Sequence, residues 1–224
     1  VTETQGRIED CLYGNFRGER LVILCCGHSF ARLDLEQFRG WHVWAVNATI
    51  TALPAWMLES PRTFWFANHL REVFDNVMQK EFARLVDEKY PRWRAIVHEH
   101  WMPRFAERMG VAYFYNGAQA EHPGPMGSVF CRALHTASRC SFSEIVVAGA
   151  DMQRLRIPGV ELRDTPHYVA PFEWKATVPY RLKYQRDLIA QWTKEGYLSG
   201  AIKLHSTSDW PKVRGGAPFR TWTP

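Results

Sequence analysis

The chain has no apolar run long enough to cross a bilayer, and no positively charged start followed by a hydrophobic segment. The expectation is a soluble, cytoplasmic protein with neither membrane anchor nor secretion signal. Cysteines number five, an odd count, and none shows Cys-x-x-Cys spacing; Cys25 and Cys26 are adjacent in an apparent core strand. That disfavours a disulfide framework or a zinc site and points to reduced thiols. Asp-x-Asp, the metal-binding signature of many nucleotide-sugar enzymes, occurs nowhere. His98 and His100 could share one face of a strand in HEH, but with no third ligand nearby they read as surface residues.

What is present suits one domain of ordinary size: 224 residues, 46% hydrophobic, with a formal charge of +5 that favours an anionic partner such as a nucleotide, a nucleic acid or an acidic glycan. Tryptophans number ten. Trp41, Trp44, Trp56, Trp65 and Trp192 sit in apolar patterns and read as core packing.

Residues 1–19 are polar and weakly patterned, a lead-in that packs on the surface or frays. From Leu21 apolar strands alternate with helical patterns. Strands are expected at Leu21–Cys26, Trp41–Val46, Thr63–Phe66, Trp93–Val97, Val111–Tyr115, Glu144–Ala148 and Ala201–Leu204. Between them fall a short helix holding Phe30, Leu33 and Phe38, a helical turn around Ile50–Leu58, and a long amphipathic helix over about His69–Tyr90. Further helices are expected through Arg104 and Met109, over Gly127–Arg139 and over Val178–Lys194. Residues 152–174 carry three prolines, several arginines and little periodicity, as a functional lid would. Residues 207–224 form a tail rich in Pro, Gly and Ser.

The five consecutive hydrophobic residues Leu21–Cys25 are characteristic of a strand covered on both faces, hence of a mostly parallel sheet between helices. The fold class expected for residues 20–206 is therefore α/β: a single Rossmann-like three-layer sandwich. Ligands of such sheets sit at the carboxyl ends of the strands. Under that rule the candidate site residues are Gly27 and Ser29 after the first core strand, Asn47 and Asn68 after the next two, Gly127 and Ser128 at a helix start, and Gly149 and Asp151 after a late strand.

The segments VILCCGHSF, WAVNATI, TFWFANHL and MGSVFCRALHTASRCSFSEIVVAGADM, in that order, resemble the bacterial sialyltransferases of glycosyltransferase family 42 and their pterin pyrophosphokinase-like relatives. The likeness runs over roughly Leu21–Ser206. It implies a nucleotide-sugar donor, by default CMP-sialic acid, entering as substrate with no other cofactor and no metal, and inverting transfer of the sugar to an acceptor hydroxyl. Asn47 and Asn68 would supply amide partners for the base. Gly27 and Ser29 would lie against phosphate or ribose, and Gly127 and Ser128 would face the donor from a helix start.

Transfer needs a base for the acceptor and positive or hydrogen-bonding groups for the leaving phosphate. His167, in DTPHYVAP, is the first candidate base and Asp151 the alternative; Tyr168, Arg154 and Arg156 would meet the phosphate. The chain departs from the family in two places: Pro171 stands where the catalytic histidine is expected, and Cys26 where an asparagine precedes the glycine. Other readings stay open, namely the same chemistry on a DNA or RNA acceptor, a Mg²⁺-dependent pyrophosphokinase using Asp151 and Asp164, or a non-catalytic nucleotide- or nucleic-acid-binding protein. Trp101, Trp174 and Trp210 would serve a nucleic-acid acceptor. A homo-oligomer is compatible with the sequence.

Overall fold

The computed structural model describes residues 4–25, 27, 30, 32–67, 84, 87–89, 93–99, 109–115, 129–150, 179–196, 198, 203–206 and 220–221. Among these described residues nine strands form one sheet: β1 (Thr4–Arg7), β2 (Arg20–Leu24), β3 (His42–Val46), β4 (Thr63–Ala67), β5 (Trp93–His98), β6 (Met109–Tyr115), β7 (Glu144–Ala148), β8 (Lys203–Ser206) and β9 (Arg220–Thr221). Their order across the sheet is β1-β6-β5-β4-β3-β2-β7-β8-β9, and every pair is parallel. The described helices are α1 (Ile8–Cys11), α2 (Ala55–Glu59), α3 (Val129–Arg139) and α4 (Pro179–Lys194), with 3-10 turns at Leu35–Phe38 and Asn47–Ala52.

The period-two alternation of the strands divides the apolar residues into two cores, one on each face of the sheet. Leu21, Ile23, Trp44, Phe66, Ile145 and Val147 face one core, completed by residues of α3 and α4 such as Leu134 and Trp192. Val22, Leu24, Val43, Ala45, Trp65 and Val146 face the other, closed by Phe38, Ile50 and Met57 from the 3-10 turns and α2. The chain is an α/β three-layer sandwich. Full burial of each Leu, Ile or Val of β2 contributes roughly 1.5–3 kcal/mol, so this strand is the spine of both cores.

The lead-in departs from expectation. Rather than fraying, residues 4–7 form the edge strand β1 beside β6, and Ile8 and Leu12, one helical turn apart, are buried in the first core at 2% exposure each. TQGR has no apolar alternation, so its pairing comes from this downstream anchor. The segment around Phe30–Phe38 forms 3-10 turns rather than an α-helix, and Met109 belongs to strand β6 rather than to a helical piece. The tail contributes β9. Among the tryptophans expected in the core, Trp41, Trp44, Trp65 and Trp192 are buried and Trp56 is half-buried. The expected long helix lies mostly outside the described residues, although Arg84 and Asp87–Lys89 are helical. No helix among the described residues is long and apolar enough to cross a membrane.

The amino edge of the sheet is tied by a charged cluster. Glu19, His42 and Arg62 each lie within one residue of the start of a neighbouring strand; His42 Nε2 and Arg62 Nη1 meet Glu19 Oε2 at 2.6 and 2.8 Å. Arg62 also donates to the Gly40 carbonyl, and Phe16 stands edge-on to the His42 ring. Burial holds His42 below the ordinary imidazole value despite the opposing pull of Glu19. The hydrogen bond from His42, reinforced by Arg62, holds the Glu19 carboxyl below its usual range. A neutral His42 donating Nε2–H to an ionised Glu19 satisfies both shifts.

The sign for stability follows. With the folded pKa of His42 depressed, the unfolded chain binds more protons near and below about pH 6.5, so stability is full above that pH and falls as pH drops through it. Glu19 adds a second loss below its own ordinary value. We expect the urea midpoint to decline from pH 7 to pH 5, and the decline to flatten in His42→Gln, whose amide can still donate to Glu19. An equal decline in both proteins would remove His42 as its source.

Candidate functional site

The winding of the sheet locates the crevice. From β2 the chain proceeds outward through β3, β4, β5 and β6, then α3 carries it back to β7 on the other side of β2, and α4 leads onward to β8. The connection leaving β2 packs on one face, through Phe30 and Phe38, whereas α4, leaving β7, packs on the opposite face through Leu188, Ile189 and Trp192. With crossovers of one hand, strands added in opposite directions require opposite faces. The described parts of the two connections take opposite faces, so β2 and β7 mark the topological switch point, the place where open α/β sheets bind ligands at the carboxyl edge.

At the base of the crevice the two main chains touch. Cys25 N–H donates to the Ala148 carbonyl and Gly27 N–H to the Gly149 carbonyl, both at 2.7 Å, extending the β2–β7 pairing past the ends of the strands. Gly149 has φ +73°, and a Cβ there would fall on the Cys25 carbonyl oxygen and 2.6 Å from its carbon. Only glycine satisfies both the conformation and the approach. The Gly27 N–H is thus committed to the protein. Gly27 shapes the floor of the crevice rather than donating its own amide to a phosphate.

One strand over, Asn47 caps β3 with φ +52°, a left-handed conformation that asparagine tolerates better than most residues. Its carbonyl accepts the buried indole N–H of Trp65, on β4, at 2.8 Å. Among the described residues the Asn47 carboxamide makes no hydrogen bond, and it is half-buried. A backbone outlier fixed from beneath by a core tryptophan, with donor and acceptor left for another molecule, is what base recognition requires. The sequence marks Trp65 as core packing only; its grip on Asn47 joins residues 18 apart and leaves no local signal.

Gly27, Asn47 and Gly149 are therefore brought to one edge, at the ends of three adjacent strands β3, β2 and β7. Ser29, Asn68, Gly127, Ser128, Asp151, Arg154, Arg156, His167 and Tyr168 lie outside the described residues, as do the lid at 152–174 and His100. His98 is half-buried at the end of β5, its ring edge-on to Tyr115 at 5.3 Å. Among the described residues Cys11, Cys25, Cys131 and Cys140 form no disulfide, and burial pushes the Cys140 thiol far up. Among the described residues no three His, Cys, Asp or Glu side chains gather where they could hold a metal ion. Comparison with known proteins returned no match: no family model, no curated protein and no solved structure is similar to this chain.

Proposed function

We propose that this protein binds a nucleotide in the crevice above β2 and β7 and transfers a sugar from it, by default sialic acid from CMP, to an acceptor hydroxyl in a metal-independent inverting displacement. The observation that carries the binding step is the switch point itself, floored by Gly27 and Gly149 and flanked by Asn47, whose backbone carbonyl Trp65 holds. The transfer step rests on the four sialyltransferase-like segments. In it the acceptor oxygen attacks the anomeric carbon opposite the donor phosphate. The carbon–oxygen bond to phosphate breaks with its electron pair leaving on the phosphate, and the acceptor proton passes to His167 or, as the alternative, Asp151. Arg154, Arg156 and Tyr168 would stabilise the departing phosphate. The acceptor is a glycan, with DNA or RNA as the variant of the same chemistry.

Thermal-shift measurements with CMP, UDP, GDP and ATP conjugates test the reading. One nucleotide class is expected to raise the melting temperature by roughly 5–10 °C at a concentration about a hundred times its Kd. His167→Ala should keep that shift and lose transfer. If no nucleotide stabilises the protein, the reading fails; a strict Mg²⁺ requirement would replace transfer with pyrophosphokinase chemistry.

A further inference from the structure

Arg132 lies in the first turn of α3, which packs on β2, β3 and β4. The last turn of α3 lies at the amino edge, where Gly14 N–H binds the Arg139 carbonyl and Ser143 N–H binds that of Glu19, so its first turn lies at the carboxyl edge. From there the guanidinium reaches the end of β6 and lies 4.7 Å from the centre of the Tyr115 ring. Tyr115 is itself 2% exposed and stacked on Phe66, so the platform is rigid.

Four other described arginines spend their charge or their donors on the protein. Arg39 pairs with Glu36, Arg62 with Glu19 and Arg84 with Glu88, while Arg94 donates to the Thr63 and Leu58 carbonyls. Arg132 is half-buried, and among the described residues no carboxylate or carbonyl takes its N–H groups. Arg20 stacks on Trp41 in a similar way, but it is exposed at the opposite edge. A guanidinium braced on an aromatic ring, with no acceptor for its donors among the described residues, is organised in advance for a carboxylate or phosphate.

We infer that Arg132, braced on Tyr115 beside His98, binds an oxyanion of the substrate that lies along the carboxyl edge of the sheet. The inference rests on the nucleotide reading above. Four strand spacings, roughly 19 Å, separate β2 from β6, a span suited to a nucleotide joined to a further group. Arg132 therefore serves the end of the ligand remote from the Gly27–Gly149 floor.

Titration calorimetry on the full chain, with CMP, N-acetylneuraminate and inorganic phosphate as separate probes, tests this against Arg132→Gln and Arg132→Lys. Arg132→Gln is expected to weaken at least one anionic probe tenfold or more without moving the melting temperature of the free protein, and Arg132→Lys to recover only part of the loss. Weakening confined to N-acetylneuraminate assigns a carboxylate; weakening of CMP and phosphate assigns a phosphate. If the wild type binds CMP and both variants bind every probe equally well, the inference is overturned while the nucleotide reading stands. If the wild type binds none of the probes and no other nucleotide, both fall. Should Arg132→Gln fail to fold, Arg132→Lys alone decides, because unchanged binding there removes the need for a fixed guanidinium.

Discussion

Gly149→Ala is expected to lose more than about 4 kcal/mol of stability, enough to leave much of the chain unfolded. Two causes add. The left-handed backbone at φ +73° costs an L-residue roughly 1–2 kcal/mol, and the new methyl group would occupy the position of the Cys25 carbonyl. Backbone on both sides belongs to paired strands, so neither can retreat without opening the Gly27–Gly149 hydrogen bond. Gly18→Ala separates the causes. Gly18 has φ +81° and open space around its Cα, so it bears the conformational penalty alone. Urea unfolding should show Gly149→Ala far below Gly18→Ala; equal midpoints would mean that β2 and β7 do not meet so closely.

Trp65→Ala should cost about 3–5 kcal/mol, the range for removing a large buried aromatic. Trp65 is fully buried, edge-on to Trp93 at 5.0 Å, in the core that Val22 and Leu24 share. Trp65→Phe is the more informative partner. It refills most of the volume but removes the indole N–H from the Asn47 carbonyl, a loss of about 1–2 kcal/mol, and releases a strained residue at the crevice. Nucleotide stabilisation should fall in Trp65→Phe by more than its modest change in melting temperature suggests. An undiminished ligand response would detach Asn47 from the binding site.

The central strands were readable because their signal is local. Leu21–Cys25 needs two covered faces, and the run at Glu144–Ala148 is bounded by Ser143 and Gly149, so its limits coincide with β7. Edge elements were not, since their stability is borrowed: β1 holds through Ile8 and Leu12, and β9 through β8. Phe30–Phe38 has helix-like apolar spacing, yet Asp34 caps the Glu36 amide and fixes a 3-10 turn over Leu35–Phe38 instead. Within the site, the turn after β7 announced itself through Gly149. Tertiary pairings did not, whether Trp65 with Asn47 or Arg132 with Tyr115, because each partner comes from a different element.

The all-parallel order of the sheet also constrains how the chain can fold. No two neighbouring strands can close through a tight hairpin, so every pairing waits for a crossover. β1 has no partner nearby in sequence: β6 lies about a hundred residues further along, giving the contact a large loop-closure cost before any return. The pairings β2–β3, β3–β4, β5–β6 and β8–β9, whose partners are near in sequence, are expected to form before it. β1, made before the other described strands, is expected to be among the last of them to pair.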